Sequence, residues 1–195
     1  MSPPSRKEIT HDRIVETAAR AIRRAGFGGV GVADIMNEAG LTHGGFYAHF
    51  ASRDALVCEA IERAGQDSAA RIARTSAIRR AQGATAFRAF VENYLSDRHL
   101  ASRENGCPVA ALASEMPRQS RAVGQAAAQR VRALIAAVRA VLPATVPPGS
   151  AAGIASQLVG ALQLARALGD NAEGKAVLTS TRRMLLENYD IGASR

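Results

Sequence analysis

The sequence predicts an all-α fold of nine helices joined by short connections. Alanine, the strongest helix former, recurs along the whole chain, while aromatic residues, which favour strands, make up only 4% of it. Apolar residues return at three- and four-residue spacing in one segment after another. The seven prolines fall mostly at the ends of those segments, where a helix has to stop.

The elements follow in order. Ser5-Arg6-Lys7-Glu8 has the form of a capping box, in which each side chain satisfies an unpaired backbone N–H at a helix start. Ile14, Ala18, Ala21, Ile22 and Ala25 then keep helical spacing, predicting a helix over 6–25. Gly26 stops it, by adopting the left-handed conformation that glycine takes at little cost, and Phe27 can fold back onto it. After the loop Gly28-Gly29-Val30-Gly31, residues 32–39 form a short helix with Val32, Ile35, Met36 and Ala39 on one face. Gly40-Leu41 is a turn, and Thr42 caps a third helix that runs to about His49. Ser52 caps a fourth over 53–78, with Leu56, Ala60, Ile61 and Ala64 inward. Further helices are predicted over 84–98, 107–115, 118–141, 150–168 and 173–189. Polar residues 99–106, Met116-Pro117, the proline-rich run Pro143 to Gly149, and Gly169-Asp170-Asn171 separate them.

The formal charge of +8 and pI near 10.6 suit a polyanionic partner. The charge is spread: residues 1–80 carry 12 basic and 9 acidic residues, and the remainder 13 and 8. Charge therefore does not locate a binding face. Two cysteines, Cys58 and Cys107, make no disulfide framework. The N-terminus has no secretory pattern, and the most apolar stretch, 151–168, is interrupted by Gln157, Gln163 and Arg166. The expectation is a cytoplasmic protein with no membrane partner. His11, His43, His49 and His99 lack metal-ligand spacing, and the chain has no HExxH, P-loop, GxSxG or GxGxxG pattern. Neither catalytic residues nor a metal nor a cofactor is expected, which argues against an enzyme.

Function is carried by residues 32–50. Two short helices on a tight glycine-containing turn make a helix-turn-helix. The major groove admits one helix while the preceding helix braces it across the backbone. Val32, Ile35, Met36, Ala39 and Leu41 supply the bracing face. Phe46 and Phe50 point the second helix's apolar side inward, leaving Thr42, His43, Gly44, Gly45, Tyr47, Ala48 and His49 to face outward.

From Ile14 to Glu59 the sequence resembles the DNA-binding domain of the TetR/AcrR family of bacterial regulators. The matching strings are Arg13-Ile14-Val15-Glu16-Thr17-Ala18-Ala19, then Ile35-Met36-Asn37-Glu38-Ala39-Gly40-Leu41-Thr42. The most specific is Gly44-Gly45-Phe46-Tyr47-Ala48-His49-Phe50-Ala51-Ser52-Arg53-Asp54-Ala55-Leu56. The resemblance implies that Thr42, His43, Gly45, Tyr47 and His49 face double-stranded operator DNA. Tyr47 and Arg53 would hold phosphates, and His43, Gly44 and Gly45 would meet base edges. The sequence departs from the family where a Thr or Ser cap and an Arg commonly flank the start of the second helix: here stand Gly31 and Ala33.

The resemblance further implies two domains, 1–50 for DNA binding and 51–195 for effector binding and dimerisation. The family dimerises through its last two long helices. The candidates here are Ala152, Ser156 and Gly160, a ridge of small residues, with Leu158, Leu162, Ala165, Met184 and Leu185. The family's pocket for a small, apolar effector would be lined by Phe87, Phe90, Tyr94, Cys107, Met116 and Gln157. The expected function is a homodimeric repressor released from DNA by that effector. A ligand-independent or architectural DNA-binding protein would have the same first 55 residues. Cys107, in Gly106-Cys107-Pro108, would serve as an oxidation sensor only if its thiol were exposed and its pKa lowered.

Overall fold

The computed structural model describes residues 3–190. Among these it contains helices and no strand: α1 (Arg6–Ala25), α2 (Val32–Glu38), a 3-10 helix (His43–Ala48), α3 (Arg53–Ala81), α4 (Ala86–Tyr94) and α5 (Asp97–Ala101). There follow α6 (Pro108–Leu112), a 3-10 turn (Met116–Arg118), α7 (Arg121–Val141), α8 (Ser150–Leu168) and α9 (Ala172–Tyr189). The chain forms two compact units. The first runs to Asp67 and takes in Glu104–Arg130, and the second comprises Ser68–Arg103 and the chain from Val131 on.

The first unit is organised around α1. Its capping box is complete: the Ser5 N–H donates to Glu8 Oε2 at 2.6 Å, and the Glu8 N–H donates to Ser5 Oγ at 3.2 Å. Ile14, Ala18, Ala21 and Ile22 are buried, as their spacing requires, whereas Ala25 is exposed. Gly26 ends the helix with φ 81° and ψ 174°, a positive φ as expected of the stop but with extended ψ. A side chain there would also collide with Glu115, whose Oε1 lies 2.5 Å from the position of a Cβ. That carboxylate accepts the Phe27 N–H at 2.9 Å, and the Phe27 ring is buried.

Arg23 is only 5% exposed. Its guanidinium donates to the carbonyls of Ala19 (2.8 Å), Gly106 (3.3 Å) and Ala64 (3.4 Å). A buried charge persists only when its donors are occupied. Arg23 thereby ties α1 to α3 and to the segment before α6. On the outer side Arg24 pairs with Glu38 at 2.7 Å and Glu104 at 2.9 Å, and both carboxylates hold its pKa above the ordinary value.

In the second unit α8 and α9 pack along each other, and on these two helices Ile154, Leu158, Leu162, Ala165, Leu178 and Leu185 are buried. Gly174 permits this approach, since a Cβ would lie 2.1 Å from the Gly169 carbonyl oxygen. Phe87, Phe90, Val91, Tyr94 and Leu95 form the buried face around α4. Buried Asp190 accepts from Thr85 Oγ1 at 2.6 Å and pairs with Arg88 at 2.8 Å, joining the start of α4 to the end of α9. By length and composition α8 is the one described helix able to cross a membrane, but its Ile154, Leu158 and Leu162 are buried against its own chain.

The structure corrects several expectations. The helix predicted over 84–98 is two, because Ser96 Oγ accepts the His99 N–H at 3.2 Å and begins α5. The third helix is 3-10 rather than α, and the Thr42 side chain makes no capping bond to it. Leu158, Leu162, Ala165 and Leu185, expected at a dimer face, are fully buried in the single chain.

Candidate nucleic-acid interface

Helix α2 starts without a side-chain cap at Gly31. Asp34 substitutes from inside the helix, its Oδ2 accepting the Gly31 N–H at 2.9 Å. The helix closes in a Schellman motif: the Gly40 N–H donates to the Asn37 carbonyl and the Leu41 N–H to the Met36 carbonyl, each at 2.9 Å. Gly40 has φ 70°, the left-handed region the motif demands. That turn directs the chain through extended Thr42 into the 3-10 helix.

Phe46 and Phe50 anchor this helix. Both are buried, with ring centroids 5.6 Å apart, and Phe50 stacks on His11 at 4.4 Å. His11 Nε2 meets Glu59 Oε2 at 2.7 Å, fixing the stack to α3. The opposite side is bare. Thr42, His43 and Gly44 are exposed, Gly45 is half-buried, and Tyr47 is 73% exposed with its ring edge-on to Phe46 at 5.2 Å. At Gly44 a Cβ would meet nothing within 4 Å, and at Gly45 only ordinary contacts with Met36 and Thr42. Neither has positive φ. The fold itself therefore asks for glycine at neither position.

Two of the predicted contact residues serve the protein as well. His49 is half-buried beside His11 and Phe50, and its Nδ1 is buried without a hydrogen bond. Burial lowers its pKa, and nearby His11 and Lys7 push the same way, so the ring favours its neutral form. Arg53, at the head of α3, donates to the Phe27 carbonyl and is half-buried. Ser52 caps α3 as expected, accepting the Ala55 N–H at 3.1 Å.

The residues expected to line an effector pocket are divided. Cys107 and Met116 belong to the first unit, and Phe87, Phe90, Tyr94 and Gln157 to the second. All but half-buried Gln157 are buried. Cys107 is 5% exposed and so lacks the accessibility that oxidation sensing requires. The second unit has instead a polar cleft where α3, α4 and α5 meet. It is lined by Ser68, Arg71, Asn93, Ser96, Arg98 and His99, with a volume of about 30 Å3. No sequence motif flags it, because its residues come from three helices. Only Ser96, three residues before His99, has a local signature, that of an N-cap.

A buried apolar base, a Schellman turn and an exposed second element make a helix-turn-helix. Residues 14–60 match the family model for bacterial regulatory proteins of the tetR family. An HTH-type transcriptional regulator of Mycobacterium tuberculosis strain H37Rv is 28% identical over 186 residues, covering 90% of this chain and 93% of that protein. Among solved structures, a TetR-family regulator from Agrobacterium tumefaciens superposes with a TM-score of 0.74 at 25% identity, covering 94% and 98% of the two chains. Another, from Cytophaga hutchinsonii, shares the fold with a TM-score of 0.76 at 17% identity, covering 95% and 98%. Residues 14–60 thus carry the DNA-binding domain of the tetR family of bacterial regulatory proteins, and over nine-tenths of its length the chain is similar to an HTH-type transcriptional regulator and to a TetR-family structure.

Proposed function

We propose that the protein is a cytoplasmic repressor that binds double-stranded operator DNA as a homodimer and is released by a small-molecule effector. The observation that carries the DNA face is the combination at 42–49. An exposed tyrosine and two glycines that the fold does not require stand on a helix held from behind by two buried phenylalanines. Bare backbone lets the helix approach base edges closely, and Tyr47 is placed to give its hydroxyl to a phosphate. Thr42, His43 and His49 flank that surface, and the remaining guanidinium donors of Arg53 can meet the adjoining phosphate.

DNA binding is assigned to residues 1–50, and effector binding and dimerisation to 51–195. Dimerisation is supported by the outer face of α8 and α9. Ala152 and Ser156 are exposed there, Gly160 is half-buried, and Leu164 and Met184 are 62% and 43% exposed. Small residues next to uncovered large apolar ones suit close helix packing, and a two-fold pair can set two recognition helices about 34 Å apart.

The test is fluorescence anisotropy with DNA flanking the protein's own gene against a scrambled fragment, over a range of salt. Preference for the native fragment, lost in Tyr47→Ala, supports a sequence-specific regulator. Equal, steeply salt-dependent binding to both fragments points to backbone contact alone and favours an architectural role.

A further inference from the structure

We propose that His49 serves operator binding as an uncharged donor: its imidazole is held in the tautomer with the proton on Nε2, and it gives that N–H to a backbone phosphate while Nδ1 stays bare. The proposal deepens the DNA-binding reading above and rests on it. His49 then orients the recognition helix on the duplex, and attraction to the phosphates is left to cationic side chains elsewhere.

The first support is the asymmetry of the ring's surroundings. His49 closes the 3-10 helix, its backbone N–H donating to the Phe46 carbonyl at 2.9 Å, and its side chain is half-buried. Of the two ring nitrogens only Nδ1 is both buried and without a hydrogen bond. A proton there would face no acceptor inside the protein, and a buried donor left unpaired forfeits its hydration for nothing. The imidazolium and the Nδ1–H tautomer both carry that proton. The Nε2–H tautomer does not.

The second support is the set of groups around the ring. Helix α1 brings His11, with ring centroids 6.1 Å apart, and the charge of Lys7. Phe50 lies at 6.4 Å and offers no acceptor. From α3 comes Glu59, whose carboxylate is taken by His11 Nε2 at 2.7 Å. Burial disfavours a charged His49 most, and His11 and Lys7 add repulsion of the same sign. The recognition segment itself supplies no counter-charge: residues 39–52 contain no Asp, Glu, Lys or Arg.

The third support is what an incoming phosphate can do. It arrives from solvent, so it can accept the Nε2 N–H but cannot reach buried Nδ1 to supply the acceptor missing there. Its negative charge favours an imidazolium, while Lys7 and the enclosed nitrogen oppose one. A neutral donor displaces no counterion and so carries no share of the salt dependence. What it adds is direction, because a hydrogen bond to a phosphate fixes register and orientation. Tyr47, two residues earlier and 73% exposed, is a donor of the same uncharged kind. The recognition segment would thus hold the backbone by geometry alone.

Nitrogen-15 NMR of the full-length protein reads the tautomer without DNA, the His49 signals being those that vanish in His49→Gln. The expected result is a protonated Nε2 and a bare Nδ1, unchanged from about pH 7.5 down to about pH 6.5, the ordinary histidine pKa. Operator anisotropy gives the second reading. His49→Asn, too short to reach the phosphate, should bind about tenfold more weakly. His49→Gln, whose amide N–H stands near the place of Nε2, should recover most of that loss. Both variants should keep the parent's salt slope, whereas removal of a phosphate-bound cation lowers it by about 0.9. A proton on Nδ1 in the free protein would overturn the proposal and leave DNA binding in place. So would equal affinities of the Asn and Gln variants, or a tenfold gain in parent affinity on acidification that His49→Gln loses. A parent with no preference for the native fragment over the scrambled one would overturn the DNA-binding reading, and this proposal with it, whatever the tautomer.

Discussion

The recognition helix and the polar cleft are built in opposite ways. In the cleft, hydroxyl, imidazole and guanidinium groups engage one backbone carbonyl after another, and the imidazole of His99 is buried. On the outer face of the 3-10 helix Thr42, His43 and Tyr47 are exposed and Gly44 and Gly45 carry no side chain, while Phe46 and Phe50 are buried behind them. One region spends its chemistry on its own stability, while the other leaves it for something outside. Mutations should therefore separate the two, with stability and pH dependence moving in one and DNA affinity in the other.

The largest effect is expected at His99. Its folded pKa of about 4 lies below the ordinary 6.5, so between those values the unfolded chain binds more protons than the folded one. Stability then falls as pH drops from about 6.5 to about 4, by about 3 kcal/mol. Urea unfolding across that range should show the decline, and His99→Gln should flatten it. An unchanged pH profile in the variant would break the contrast from the cleft side.

Gly26 tests the frame that holds the recognition element. With φ 81° and Glu115 where a Cβ would sit, Gly26→Ala should cost on the order of 1–3 kcal/mol of unfolding free energy. Tyr47→Ala should move the other quantity. Operator affinity should fall about tenfold, or about 1.4 kcal/mol, while melting stays within about 0.5 kcal/mol of the parent. Gly44→Ala sharpens the comparison most finely. Its φ is compatible with alanine and the space is open, so stability should hold or rise by about 0.4–1 kcal/mol while operator affinity drops. A loss of stability at Gly44 would show that the fold does require that glycine.

Much of this was legible in the sequence. The capping box at Ser5 and Glu8 and the stop at Gly26 bound α1 as predicted over 6–25, and α8 spans the predicted 150–168. Such signals are local, and local chemistry reads directly from a string. What escaped depends on residues distant in sequence. Arg23 shares the stripe of Ala19 and Ile22, and a charge on an apolar face was the available clue. Its acceptors at Ala64 and Gly106 have no local trace. The 3-10 geometry at His43–Ala48 was hinted at by the glycine pair, which is costly in an α-helix. At the α8–α9 pair, spacing identified an apolar ridge but not which neighbour it meets. Leu158 and Leu185 turn to their own chain, and the smaller residues beside them turn outward.

The Glu115 and Arg23 contacts bear on how such regulators are recombined. Swapping the reading head of one regulator onto the body of another is a natural route to new sensor circuits, and residue 50 looks like the seam. A head cut there would lose the carboxylate that receives the Phe27 N–H and the Ala64 and Gly106 carbonyls that receive Arg23. The transferable module is discontinuous. A chimera that carries residues 51–67 and the segment 104–130 along with the head keeps all three partners, and one that omits them should express as a protein with a loosened α1.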